Sequence, residues 1–134
     1  RANGHKSNGQ PWRVAIEQPS LYQGDIQQAI SLENIAVATS GDYRNYFEKN
    51  GKRYSHTIDP RTGYPLDHSL ASVTVIAKTA ARADALATAM MVLGPEGSLS
   101  LAEENNIAIY ILIKQGENFK VQYSSAFIPY LSGD

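Results

Sequence analysis

The stretch SVTVIAKTAARADALATAMMVL, residues 72–93, places a strand directly before a helix. Its first part, 72–77, is rich in β-branched residues and predicts a strand. Thr79 is a candidate N-cap for the alanine-rich helix 79–93, and Gly94-Pro95 is expected to end that helix. A helix that follows such a strand predicts a helix packed on a sheet.

The flanking sequence extends this pattern in both directions. Asp25 is a candidate cap for a short helix over 26–32, because Ile26, Ala29 and Ile30 form one apolar stripe. Asn50-Gly51 predicts a hairpin between 43–48 and 52–58. Further strands are predicted at 12–17, 35–39, 107–114 and 119–123, and a shorter helix at 98–105. The tail 124–134 is left unassigned, and the sum predicts an α+β fold with a mostly antiparallel sheet, one main helix and shorter helices.

Composition limits the classes of function. A chain of 134 residues with 43% hydrophobic residues is expected to form a single domain over 1–134. A net charge of -1 provides no positive field for nucleic acid, and the absence of cysteine excludes thiolate chemistry. The longest apolar run, 107–113, is of strand length, well below the ~20 residues of a membrane span. The polar start at Arg1 indicates a processed or cut end.

Asp84 and Thr88 are four residues apart on the predicted helix, so their oxygens project from one face. The neighbouring positions are mostly alanine, and a carboxylate buried among methyl groups needs a cation or a donor beside it. Such hard oxygen ligands suit Mg²⁺. Spacing alone favours the simpler interpretation, in which Asp84 faces solvent or pairs with Arg82 or Lys78.

His56 ends the predicted hairpin, just before the rigid loop Asp59-Pro60-Arg61-Thr62-Gly63-Tyr64-Pro65. A histidine there can act as a general base, although a lone histidine is more often structural. Asp59 is expected to hold the loop by accepting N–H groups, and Arg61 either binds a phosphate or is solvated. Nothing singles out His5 or His68. The turn at Ser40-Gly41 can present backbone donors to a ligand, but neither a P-loop nor a GxGxxG pattern is present.

These segments, taken in order, resemble the signatures of the ApbE family of FAD:protein FMN transferases. The matching stretches are SGDYR at 40–44, HTIDPRTGYP at 56–65, SVTVIA at 72–77 and ADALAT at 83–88. A lesser match at 9–17 extends the resemblance over most of the chain up to about residue 123.

The resemblance implies an enzyme that splits FAD with Mg²⁺ and transfers FMN to a threonine or serine of a target protein, releasing AMP. It assigns Asp84 and Thr88 as magnesium ligands and His56 as the group that activates the acceptor hydroxyl. Ser40 and Ile58, with their neighbours Gly41 and Asp59, fall where the family lines its flavin-nucleotide pocket. The implied targets are flavoprotein subunits of sodium-pumping NADH:quinone reductase and Rnf-type complexes, in the bacterial periplasm.

The family's amino-terminal half, with much of its FAD cradle and a further metal ligand, has no counterpart in these residues. The chain is therefore expected to be the carboxyl-terminal part of such an enzyme, with any lipid anchor to the inner membrane lying outside it. Two other activities stay open: an FAD pyrophosphatase that yields FMN and AMP, and a flavin-binding fragment without catalysis.

Overall fold

The protein is built around a four-stranded antiparallel sheet with the strand order β3-β6-β7-β8. The computed structural model describes residues 1–19, 25–42 and 46–132. Its strands are β1 (Trp12–Glu17), β2 (Ile26–Leu32), β3 (Ala36–Gly41), β4 (Tyr46–Lys49), β5 (Lys52–Ser55), β6 (Leu70–Ala77), β7 (Ala108–Gln115) and β8 (Asn118–Tyr123). One helix, α1 (Ala80–Glu104), and a 3-10 helix (Ser125–Tyr130) complete the described elements. The α+β class with mostly antiparallel strands is confirmed.

Strand β7 is buried on both faces, as its apolar sequence predicts. Ile109 and Ile111 pack towards α1, whereas Tyr110 and Leu112 pack in the core on the opposite face of the sheet. Strict alternation follows from the two-residue period of a strand. Full burial of each such aliphatic side chain stabilises the fold by about 1.5–3 kcal/mol, so β7 anchors two cores at once.

Helix α1 covers one face of the sheet and begins as predicted. The Thr79 hydroxyl accepts a hydrogen bond from the Arg82 N–H at 3.2 Å, which confirms the N-cap. Ala83, Ala87, Met90 and Met91 form the buried stripe of this helix, and the last three pack in one core with side chains of β6 and β7. By length and composition this helix would also pass as a membrane span. Its packing against the sheet makes it a core helix of the domain.

The other face of the sheet is covered by the β1–β2 hairpin and the 3-10 helix. The predicted helix over 26–32 is therefore wrong: this segment is β2, paired with β1 in antiparallel register from Trp12–Leu32 onwards. Ile30 and Leu32 point inward at strand spacing and are fully buried, whereas Ile26 is 65% exposed. The unassigned tail forms the 3-10 helix, and its Phe127 fills the same core. Gly133 and Asp134 lie outside the described residues.

The hairpin predicted around Asn50-Gly51 is present as β4 and β5. Asn50 and Gly51 both have positive φ, 53° and 73°, as a type I′ turn requires. The part of its first arm predicted over 43–45 lies outside the described residues. The second arm ends at Ser55, so that His56 begins the loop that follows.

Gly94 breaks α1 into two segments. Its φ of 78° and ψ of 179° are not helical, yet the helix resumes at once with Pro95. Leu93 is thus the end of the first segment, as predicted. The second helix was predicted over 98–105, but it begins three residues earlier, because proline is well suited to a first helical turn. Pro95 has no N–H, so the Met91 carbonyl lacks its helical donor.

Ser98 bonds the neighbouring Met90 carbonyl beside this break. Its fully buried hydroxyl donates to the Met90 carbonyl at 2.6 Å. We expect Ser98→Ala to lower the free energy of unfolding by about 1–3 kcal/mol, since a short, fully buried hydrogen bond would be lost. Urea unfolding measures this change. Ser100→Ala is the matched control, because that exposed hydroxyl bonds a Glu104 carboxylate and its loss should cost less than about 0.5 kcal/mol. Equal losses in the two variants would contradict the prediction.

Candidate functional site

Ser40 and Thr88 meet where the end of β3 runs beside the first segment of α1. Their hydroxyl oxygens are 3.2 Å apart. The Thr88 hydroxyl also donates to the Asp84 carbonyl at 3.2 Å, one helical turn back. Thr88 has a single hydroxyl hydrogen, so its lone pairs face outward, towards Ser40 and the space beside it. The structure thus brings together two of the predicted site segments, the turn after β3 and the helix.

Asp84 lies one turn from Thr88 on α1, and both residues are exposed. The structure agrees with the interpretation that spacing alone favours, in which Asp84 faces solvent, and not with a carboxylate buried among alanine side chains. Ala83 and Ala87 turn towards the sheet, and the next position along a helix is rotated by about 100°, which places Asp84 towards solvent. The carboxylate therefore needs no counter-charge for the fold. It is available for a ligand from outside the core.

The donor set at this point fits a hard cation. It consists of oxygen atoms alone: the Asp84 carboxylate, the Thr88 hydroxyl and the neighbouring Ser40 hydroxyl. Within residues 1–19, 25–42 and 46–132, no group of three or more His, Cys, Asp or Glu side chains could hold a metal by itself. One carboxylate is what Mg²⁺ commonly takes from a protein when waters and substrate phosphates complete its shell.

The turn after β3 is held by an ion pair that sequence analysis missed. The Lys114 ammonium at the end of β7 lies 2.9 Å from an Asp42 carboxylate oxygen, and the Asp42 N–H donates to the Ala71 carbonyl. These contacts reach from β3 across β6 to β7 and fix the Ser40-Gly41-Asp42 turn beside the helix. In the sequence, this ion pair is indicated only by the position of Lys114 as a lone cation at the end of an otherwise apolar strand.

His56 is exposed at the start of the loop that leads from β5 to β6. Thr57 donates its N–H to the Ser55 hydroxyl, and its carbonyl accepts the Leu66 N–H at 3.0 Å. Ile58 pairs with Pro65 in an antiparallel bridge and is 47% exposed. His56 and Ile58 thus both stand on a closed loop with their side chains reaching solvent.

Asp59 holds this loop together, as expected. Its carboxylate accepts the Arg61 N–H at 2.9 Å and the Arg61 guanidinium at 3.0 and 2.8 Å. The Asp59 carbonyl accepts the Gly63 N–H at 2.8 Å. The bidentate guanidinium, followed by the backbone N–H of the same residue, lowers the pKa of Asp59 to about 2. In this structure the Arg61 guanidinium binds the Asp59 carboxylate, and not a phosphate as one of the two sequence-based interpretations has it.

We expect Arg61→Ala to raise the pKa of Asp59 while keeping it below the ordinary value of 3.8, because the backbone N–H still donates to the carboxylate. Because the pKa of Asp59 is lower in the folded state than in the unfolded state, its ionised carboxylate stabilises the folded protein. This contribution to the free energy of unfolding is complete above pH ~4 and is lost as the pH falls towards ~2. Carboxyl ¹³C NMR titration of Asp59 measures the midpoint. Lys120→Ala removes a cation on β8 and should leave the midpoint unchanged. An unchanged midpoint in Arg61→Ala would refute the assignment.

The loop lies beside the helix face that continues from Thr88. Val92, one turn beyond Thr88, and Leu93 line a cavity of about 370 Å³ together with Asp59, Arg61 and Tyr64. Leu66 packs into the core beneath α1. The loop and the helix are therefore neighbours.

A larger cavity, of about 660 Å³, opens at the other end of the sheet. It is bordered by Lys78 and Arg82 near the start of α1 and by Tyr130 of the 3-10 helix. None of the predicted site residues lines it. The predicted site residues thus lie at the end of β3, on the first part of α1 and on the loop after β5.

Comparison with known proteins gives a consistent result. The family model described as "ApbE family" matches residues 1–111. An FAD:protein FMN transferase of Haemophilus influenzae is 48% identical over 95% of this chain and 37% of its own length. The Vibrio cholerae protein of the same name is 48% identical over 98% of this chain and 40% of its own length. The chain thus spans about two fifths of these relatives.

Solved structures agree with these sequence relatives. The apo form of the Pseudomonas stutzeri flavinyl transferase ApbE superposes with a TM-score of 0.84, at 48% identity, and covers 100% of this chain and 41% of that one. The ApbE protein of Thermotoga maritima gives a TM-score of 0.80 at 34% identity, over 97% of this chain and 41% of that one.

Proposed function

The chain belongs to the ApbE family, and from that premise we propose that it forms part of an enzyme that transfers FMN from FAD to a hydroxyl group of an acceptor protein. Two relatives that cover nearly the whole chain carry the name FAD:protein FMN transferase, which supports the flavin chemistry. The observation that carries the assignment to a site is the contact between the Ser40 and Thr88 hydroxyls, one helical turn from the exposed Asp84.

Asp84 and Thr88 are the proposed magnesium ligands. A bound Mg²⁺ would neutralise negative charge on the pyrophosphate of FAD. Asp84 is exposed and outside the core, so it can meet the ion without giving up a structural contact. Thr88 donates its hydrogen to the Asp84 carbonyl, which turns its oxygen lone pairs away from the helix. Ser40 and Gly41 border the same point and are proposed to contact the nucleotide.

His56 is the proposed general base. The acceptor hydroxyl oxygen attacks the phosphorus on the FMN side, the bond from that phosphorus to the bridging oxygen breaks, and AMP leaves. The proton of the hydroxyl passes to His56. An exposed histidine on a loop closed by backbone contacts is suited to this task. Ile58 and Asp59 line the nucleotide side of the same loop.

The acceptors proposed from the family resemblance are threonine or serine residues of flavoprotein subunits in sodium-pumping NADH:quinone reductase or Rnf-type complexes. By the same resemblance we propose a periplasmic location, with membrane attachment through a lipid anchor outside these residues. Accessibility of the protein to a protease added to spheroplasts tests the location. Protection of the protein until the inner membrane is broken would overturn it.

The activity is tested by incubating the intact protein that carries these 134 residues with FAD, Mg²⁺ and an acceptor subunit. We expect flavin fluorescence that stays with the denatured acceptor, together with one AMP for each flavin bound. Free FMN and AMP without protein-bound flavin would instead identify an FAD pyrophosphatase. Recovery of intact FAD would identify a flavin-binding domain without catalysis. Omission of Mg²⁺ is the control, and undiminished transfer without it would reject the metal assignment.

A further inference from the structure

The Met91 carbonyl lacks its ordinary helical partner. In an uninterrupted helix it would accept the N–H of residue 95, but that residue is Pro95 and has no N–H. Met91 is 2% exposed, so water is a poor substitute for the missing donor. The break at Gly94 therefore requires another hydrogen-bond donor for this buried carbonyl.

His68 supplies that hydrogen. Its Nε2 lies 2.6 Å from the Met91 carbonyl oxygen, and its Nδ1 lies 3.2 Å from the Leu70 backbone nitrogen. A carbonyl can only accept and an N–H can only donate, so Nε2 carries the proton and Nδ1 is the acceptor. The ring also covers the break, because a Cβ added to Gly94 would lie 3.4 Å from its Cδ2. The tautomer and the position of the imidazole are both fixed.

The hydrogen bond of His68 connects the two halves of the proposed site. Met91 follows Thr88 by three residues, less than one helical turn. His68 follows Pro65 by three residues, and Pro65 is paired with Ile58 in the loop that begins at His56. The His68 side chain thus joins the helix, close to Thr88, to the loop that begins at His56.

We propose that His68 is a positioning residue: its Nε2–H replaces the donor that Pro95 lacks at the Met91 carbonyl, and so holds the loop of His56, Ile58 and Asp59 against the helix of Asp84 and Thr88. The proposal rests on the proposed function for its effect on catalysis, but the physical connection stands on the contacts of His68 alone. His68 touches neither substrate nor metal in this role.

Three variants of the intact protein test it. His68→Leu removes the donor, and His68→Gln offers an amide N–H in place of Nε2–H. His5→Leu is the matched control, since His5 is an exposed histidine that pairs with Glu33 away from the site. Imidazole ¹⁵N NMR of the wild type reports the tautomer directly, and hydrogen exchange reports the amides within 57–66 and 88–94.

We expect the ¹⁵N spectrum to show the proton of His68 on Nε2. In His68→Leu, amides of both segments should exchange faster by roughly 5- to 100-fold, the effect of leaving one buried carbonyl without its donor. The kcat for flavin transfer, corrected for the folded fraction, should fall by roughly 10- to 100-fold with a smaller change in KM for FAD. His68→Gln should restore most of the protection from exchange and most of kcat. His5→Leu should change neither the exchange rates nor kcat.

A proton on Nδ1, or exchange in His68→Leu that matches His5→Leu, would overturn the connection itself. Faster exchange with an unchanged kcat, or a kcat in His68→Gln as low as in His68→Leu, would overturn the positioning role. If the wild type transfers no flavin, the proposed function falls, and the role in catalysis falls with it. The exchange and tautomer results would then decide the physical connection by themselves.

Discussion

Replacement of Asp84 by alanine is expected to abolish magnesium-dependent flavin transfer while leaving the protein folded. A metal ion contributes several kcal/mol to stabilising charge in such a transition state, which corresponds to a loss of roughly a thousandfold or more in rate. The side chain is exposed and lies outside the buried stripe of α1, so its removal should change the free energy of unfolding by less than about 0.5 kcal/mol. Acceptor flavinylation and thermal unfolding, measured on the same preparation, check both halves.

The matched control for Asp84→Ala is Glu96→Ala, an exposed carboxylate on the second segment of the same helix. It should retain full activity and full metal affinity. Binding of Mn²⁺, followed by electron paramagnetic resonance, should weaken in Asp84→Ala and Thr88→Val only. A transferase that keeps its rate after loss of Asp84 would refute the metal site, whatever the fate of the other variants.

Replacement of His56 by alanine is expected to lower the rate of transfer by roughly 10²- to 10⁴-fold, the usual contribution of a positioned general base. Because His56 lies on the loop and not on α1, binding of Mn²⁺ should change little. Binding of FAD should also change little, since a general base acts on the acceptor hydroxyl and not on the bound nucleotide. Single-turnover transfer to an acceptor subunit separates the chemical step from substrate binding. His5→Ala serves as the control for loss of a surface imidazole.

A different outcome would reassign His56. If His56→Ala weakens FAD binding in proportion to its loss of rate, the residue holds the nucleotide and is not the base. If transfer continues at the wild-type rate, the acceptor hydroxyl is activated by another group. Either result leaves the test of Asp84 unaffected, because the two residues belong to separate elements.

The local signals of the sequence predicted the elements that depend on neighbouring residues. The N-cap at Thr79 and the hairpin at Asn50-Gly51 are set by contacts within a few residues, and both are confirmed. The role of Asp59 in its loop is of the same kind. The Ser40–Thr88 contact spans 48 positions and was not predicted, because signals between neighbouring residues do not reveal so distant a partner.

The helix prediction for 26–32 was wrong because the apolar residues of this segment fit both a helical and a strand periodicity. Ile26, Ala29 and Ile30 match a helix, whereas Ile30 and Leu32 match a strand. The choice is made by pairing with β1, about ten to twenty positions away, and by burial against the 3-10 helix near the other end of the chain. A single sequence does not reveal these distant partners.

The orientation of α1 could not be predicted for a different reason. Its first segment consists largely of alanine, which distinguishes an inner face from an outer one only weakly. A shift of one residue decides whether Ala83 or Asp84 faces the sheet. The break at Gly94 was predicted, but its repair was not, because the donors to Met90 and Met91 come from Ser98 and His68.

The two-sided burial of β7 also limits how this domain can change in length. Deleting or inserting one residue within that strand would exchange the side chains that contact α1 for those that contact the hairpin face, and would do so along the rest of the strand. Length variation among homologues should therefore collect in the surface turn between β7 and β8. The number of residues from Ile107 to Lys114 should stay constant even where individual side chains differ between homologues.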